Sequence, residues 1–289
     1  MSWVIYHTID KYRNLARKQS QNLAVAVARN DFSTVEKLLN KGVNPNLAIV
    51  GKNCEPLLFL AFEKKWFTLP FQKIGDRPKE SYRIMAKSEC LRLLLRYGAD
   101  PNVRDSLGRT VLEIAILWCL PEIVKLLLLH GANPNLKNAK GHTPLIESVI
   151  LGIQDARPMA HKLQIILYLL DSGAAIDAQA PSGKTALMYA VGNSRQEIAE
   201  LLVSSGASLT ITNNHGEQAK DIVNLGSTIQ QQQTHLRKIL NQPQVDVSKH
   251  KYREFLPEGD HVLATILEGE NGDRSSFNDI PRKLINNEQ

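Results

Sequence analysis

"GADPNVRDSLGRTVLEIA" runs from Gly98 to Ala115, and 33 residues after its start "GANPNLKNAKGHTPLIES" runs from Gly131 to Ser148. Near-identical phrases at a fixed offset indicate an internal repeat, and the search widens from there. The opening glycine recurs as Gly42, Gly98, Gly131, Gly173 and Gly206, at gaps of 56, 33, 42 and 33 residues. An apolar pair precedes each: Leu38–Leu39, Leu94–Leu95, Leu127–Leu128, Leu169–Leu170 and Leu202–Val203. A small residue follows each: Val43, Ala99, Ala132, Ala174 and Ala207. After the last four, a second glycine stands ten residues on, as Gly108, Gly141, Gly183 and Gly216.

Each part has a physical job. "PEIVKLLLLHG" carries apolar residues at helical spacing and stops at Gly131, which suits the left-handed position that ends a helix. "NPNLKNAKG" is turn chemistry, too short for an element of its own. "HTPLIESVI" opens a helix, with Thr143 as cap and Pro144 in the first turn, where a missing N–H costs nothing. One repeat is thus helix, turn, helix and an extended finger. It cannot bury its apolar face alone and must stack on copies of itself.

The pattern G-x-T-P-L…V-x-x-L-L-x-x-G-A-x-x-N at a period of 33 resembles the ankyrin repeat. The resemblance runs from Asn22 to Asn241 and is most specific from Asp105 to Thr212, the third to fifth repeats. The expected fold is all-α, a solenoid of about six helix-turn-helix repeats with short finger loops. Residues 1–21 form an N-terminal arm, 22–241 the array, with insertions at 64–87 and 152–161, and 242–289 an acidic tail with a short apolar run, Val262–Leu267. The first repeat lacks the finger and the Thr-Pro start. The sixth exchanges apolar positions for Gln, Lys and Thr, as a capping repeat requires. The family's His after Thr-Pro-Leu is missing: Leu58, Glu113, Ile146 and Met188 stand there. Val111 and Ala186 replace the proline, and both departures weaken local hydrogen bonding without threatening the fold.

Composition agrees with a globular chain: 289 residues, 43% hydrophobic, 22% charged, formal net charge +6. No apolar run reaches the roughly 18 residues of a membrane span, and the N-terminus lacks the order of a secretory signal. Cys54, Cys90 and Cys119 share no metal-ligand spacing; Cys90 and Cys119 lie among leucines and read as buried thiols. The eight histidines form no His-x-x-x-His pair. "PSGKTAL" holds Gly183-Lys184-Thr185 but lacks the glycine a phosphate loop needs ahead of it, and reads as the fifth finger and its Thr cap. No catalytic set, metal or cofactor follows from these residues. The expectation is a non-enzymatic, monomeric, cytoplasmic adaptor, and by analogy a bacterial effector in a host cytoplasm.

The resemblance implies a protein partner, held by the fingers and the first helices on the concave side. Carried over by position, the binding residues are Leu107, Arg109, Leu117 and Trp118 in the third repeat, and Lys140, His142, Ile150 and Leu151 in the fourth. Lys184 and Asn193 hold these places in the fifth, and Phe62 in the second. The family usually keeps the helix positions polar, but Phe62, Leu117, Trp118, Ile150 and Leu151 are apolar. Such a stripe is either a partner groove, a surface covered by the insertions, or a misregister. Residues 64–87 hold seven Lys/Arg against two acids, with Trp66, Phe67, Phe71 and Tyr82 among them. Basic and aromatic together, they suit a nucleic acid or an anionic surface, the alternative reading, or else an aromatic cluster pinning a long loop. The tail, with nine acids against six Lys/Arg, is their electrostatic complement.

Overall fold

The structure, a computed structural model, describes residues 18–46, 56–61, 89–150, 159–222, 238 and 240. They divide between two compact units, Met1–Val111 and Leu112–Gln289.

In the first unit, α1 covers residues 18–29, α2 is Phe32–Asn40, α3 is Leu57–Leu60 and α4 covers residues 89–96. Residues 18–21 are helical and lead into the first repeat. Their amphipathic continuation buries Leu23, Ala24, Ala26 and Val27 on one face. Asn30, at φ 59°, ends α1, and Asp31 caps α2. The Asp31 carboxylate accepts from Thr34 Oγ1 at 2.6 Å and Thr34 N at 3.1 Å. Those bonds hold its pKa below the ordinary carboxylate value. Tyr97 Oη donates to Asn40 Oδ1 at 2.6 Å, tying the ends of the first and second repeats.

In the second unit, α5 is Val111–Leu117, which begins at the division, followed by α6 Pro121–Leu129, α7 Pro144–Ile150 and α8 Met159–Asp171. Then come α9 Ala186–Gly192, α10 Gln196–Ser204 and α11 Ala219–Ile222. First helices pack on first helices, α7 on α9 and α9 on α11, while α6 packs on α8 in the layer of second helices. Helices α7 with α8, and α9 with α10, join the layers. Helix α8 opens at Met159, so residues 159–161 of the short insertion are helical. Among the described residues there is no strand; Arg104 and Thr110 form an isolated antiparallel bridge.

The repeated glycines explain the apolar pairs. Gly131 lies at φ 85° and its N–H donates to Leu128 O at 3.1 Å, while Ala132 N donates to Leu127 O at 2.9 Å. The pair's last carbonyls are therefore satisfied by the glycine and the small residue after it. The same bonds recur at Gly42, Gly98, Gly173 and Gly206. In the pairs, Leu94, Leu127, Leu169 and Leu202 are wholly buried, whereas Leu38 and Leu170 are only half-buried. Cys90 and Cys119 are buried free thiols, as read from the sequence, and Cys54 lies outside the described residues. Between α6 and α8, Lys125 Nζ sits 5.9 Å from the Tyr168 ring centroid. Burial holds that ammonium below its usual pKa and pushes the Tyr168 phenol up to about 12.

An asparagine four residues past the glycine locks successive repeats. Asn46 Nδ2 donates to Gly98 O at 2.8 Å and its Oδ1 accepts from Asp100 N at 2.7 Å. Asn135 repeats the arrangement on Gly173 O at 2.9 Å and Ala175 N at 2.7 Å. At the next step Asp177 Oδ1 accepts from Ser208 N at 2.8 Å.

Two stability measurements follow. Leu127→Ala should cost on the order of 2–5 kcal/mol by thermal or urea unfolding, because the side chain has no exposed surface and its cavity cannot collapse freely. Asn135→Ala should cost about 1–2 kcal/mol by removing two bonds to one neighbouring repeat. A change of less than a few tenths would show that water replaces both bonds at no cost.

Candidate functional site at the fingers

Each finger is a hairpin closed by the same bonds. The N–H of Asp105, Asn138, Ala180 and Asn213 donates to the C=O of Arg109, His142, Lys184 and Glu217, at 2.9, 2.9, 3.0 and 3.0 Å. The left-handed glycine at the bend, Gly108, Gly141, Gly183 or Gly216, donates back to the first residue's C=O. Three fingers add a side-chain cradle. Asp105 Oδ1 accepts from Leu107 N and Arg109 N, Asn138 Oδ1 from Lys140 N and His142 N, and Asn213 Oδ1 from His215 N and Glu217 N. Ala180 cannot do this, and Gln179 Nε2 braces that finger instead, donating to Gly183 O at 2.7 Å and Thr212 O at 3.0 Å.

In the second unit the fingers abut. A Cβ placed on Gly141 would lie 2.6 Å from Pro181 Cγ, and one on Gly183 would lie 2.5 Å from Asn214 N. Neither position admits a side chain, for want of space as well as for its positive φ. Asn214 Nδ2 donates to Pro181 O at 2.8 Å, bonding the sixth finger to the fifth.

Beneath the fourth finger lies a polar network that single-position reading missed. Glu147 is 5% exposed. Its Oε1 accepts from Asn138 Nδ2 at 2.7 Å and lies 3.0 Å from His142 Nδ1. Asn138 Nδ2 also reaches Glu113 Oε1 at 3.2 Å, so one carboxamide links the first helices of the third and fourth repeats. Glu113 stands where the family has its histidine and takes over a bonding role, while Ile146 and Met188 at the equivalent places are buried among apolar neighbours. The signal was present in the sequence: Asp105, Asn138 and Asn213 all stand three residues before the second glycine.

The residues expected to bind are placed as follows. Leu107, at the tip of the third finger, is 63% exposed. Arg109 is engaged within that finger, its Nε and Nη2 on Asp105 Oδ2 at 2.9 and 2.7 Å. Lys140 is exposed. His142 is half-buried against Glu147 and faces Tyr189, with ring centroids 5.9 Å apart. Lys184 Nζ lies 5.9 Å from the Tyr189 ring centroid, and Tyr189 Oη is 3.1 Å from Ser182 Oγ. Leu117, Trp118 and Ile150 are each half-buried, and Trp118 lies one residue beyond α5. Asn193 is half-buried at the end of α9, where its N–H caps the helix. Phe62, Leu151, the basic insertion 64–87 and the tail 242–289 lie outside the described residues. Among the described residues no group of His, Cys, Asp and Glu has metal-binding geometry, and no helix is long and apolar enough to cross a membrane.

Removing the Glu147 carboxylate should expose how far the finger depends on it. Glu147→Ala leaves Asn138 Nδ2 and His142 Nδ1 short of an acceptor in a half-buried site and should cost about 1–3 kcal/mol in urea unfolding. Glu147→Gln, which keeps an acceptor oxygen, should cost less; equal losses would mean the carboxylate's charge, not the acceptor, matters.

With the geometry in place, comparison with known proteins agrees with it. A protein-family model described as "Ankyrin repeats (3 copies)" matches residues 82–160 and 119–213. The crystal structure of EF0377, an ankyrin repeat protein, is similar in fold, with a TM-score of 0.55 at 24% sequence identity, covering 76% of this chain and 96% of that one. Ankyrin repeats are in general protein–protein interaction modules and in general not enzymes. Left-handed glycines at the repeat period, paired helix layers, stacked fingers and the family match together identify residues 82–213 as ankyrin repeats.

Proposed function

We propose that this chain is a non-enzymatic, cytoplasmic binding module that holds a protein partner by its fingers and by the ends of its first helices. The observation that carries the reading is Leu107. An apolar side chain 63% exposed is held at the tip of a hairpin whose backbone is tied to Asp105 and whose flank is braced by the Asp105–Arg109 pair. A large apolar group displayed on a rigid support has little entropy to lose on binding and apolar area to gain. In the second unit, half-buried Leu117, Trp118 and Ile150, at or just beyond the ends of first helices, are apolar contact positions of their own, and Trp is enriched among residues that dominate interfaces. Arg109 acts in this reading as a brace that positions Leu107.

The test is capture of a partner from native cytosol, identification by mass spectrometry, and titration of the purified pair by calorimetry. Leu107→Asp and Trp118→Ala should each weaken binding by roughly tenfold or more while the melting temperature stays near that of the unaltered chain. Unaltered affinity in both variants would refute the reading.

A further inference from the structure

The fourth and fifth fingers distribute their charges unevenly. The carboxylates at this edge are turned to internal bonds: Glu147 to Asn138 and His142, Glu113 to Asn138, and Glu217 to Asn213 Nδ2 at 2.8 Å. The ammonium groups are not. Among the described residues neither Lys140 nor Lys184 has a carboxylate within ion-pair distance, and the Lys184 ammonium rests over the Tyr189 ring alone. His142 packs beside that ring, and the hydroxyls of Ser182 and Tyr189 meet at its polar edge. Because a Cβ on Gly141 would meet the Pro181 ring, the fourth and fifth fingers are pressed together, and both lysines belong to one edge.

We infer that this edge, from Lys140 across Tyr189 to Lys184, receives an acidic segment of the protein partner, with Asp or Glu carboxylates against the two ammoniums and the Ser182–Tyr189 hydroxyls. The inference rests on the binding-module reading and specifies its partner. The two lysines supply point charges without the planar fork that fixes a bidentate geometry, so the edge attracts an anion by charge and leaves its chain free to adapt. A nucleic acid fits less well. Residues 112–150 and 159–222 carry seven Lys and Arg against nine Asp and Glu, so the surroundings repel a long polyanion while the edge attracts a short one.

The experiment uses the full chain and a short fluorescein-labelled peptide of alternating Glu and Gly, with its Gln–Gly counterpart and a single-stranded oligonucleotide as comparators, read by anisotropy. The Glu peptide should bind, the Gln peptide should not, and Lys140→Glu with Lys184→Glu should weaken binding at least about tenfold. Lys41→Glu, an exposed lysine on the first repeat, should leave it unaltered. Raising salt from about 0.05 to 0.3 M should weaken it further. Lys140→Gln with Lys184→Gln gives a milder second variant, and an unaltered helical signal certifies folding in both. Equal affinity for the Gln peptide, or tighter binding of the oligonucleotide, would overturn the inference. So would a gain in Glu-peptide binding when the tail acids from Glu254 to Asp273 are replaced by amides, since the chain's own tail would then be the occupant. A captured partner that binds the Lys-to-Glu chain as well as the unaltered one would overturn this edge while leaving the binding module intact; absence of any partner would overturn the module itself.

Discussion

The left-handed glycine at the end of each second helix is the constraint on which the rest depends. At Gly131 it turns the chain so that its own N–H and that of Ala132 satisfy the carbonyls of Leu128 and Leu127. The side chain of Leu127 is then free to be wholly buried with no orphaned backbone beneath it. The same turn fixes where the chain emerges, and four residues later Asn135 meets the backbone of the next glycine turn. A side chain in place of the glycine would strain the turn and displace the asparagine with it. One backbone conformation thus caps a helix, permits a core and sets the register between repeats.

The fingers inherit that register. Each one starts from a chain already positioned by the asparagine contact and is closed by a second left-handed glycine. Where the first finger residue is Asp or Asn, its side-chain oxygen takes two backbone N–H groups that would otherwise face water, and the loop becomes a rigid hairpin. Rigid display matters for binding because ordering a loop on association costs free energy that a preformed one has already lost in folding.

Most of the fold was legible because it is written in backbone requirements. Every glycine picked out by its spacing has positive φ, and Thr143 and Thr185 cap the helices that follow, accepting from Ile146 N and Met188 N at 3.3 Å. Such features are local and repeat. The site was less legible because partner choice among side chains is not local. Arg109, Lys140 and Lys184 look alike as finger cations. Only three-dimensional placement shows that Arg109 is matched to Asp105 and that Lys184 lies over Tyr189, a residue the spacing did not single out.

The missing histidines tie these levels together. In three successive repeats the family's bonding position is held by Glu113, Ile146 and Met188. Two of these simply extend the apolar core, which dispenses with polar contacts between first helices there. The third, Glu113, recovers one through Asn138, and Asn138 at the same time cradles the fourth finger and holds Glu147. Polar bonding is thereby concentrated under the fourth finger rather than spread evenly. Lys140 stands on that anchored hairpin, whereas Lys184 stands on one braced by Gln179 and by Asn214 of the sixth finger, with its ammonium over Tyr189. The two cations are held differently: the Lys140 side chain is exposed on a backbone fixed by Asn138, whereas the Lys184 ammonium rests against a ring that also packs beside His142.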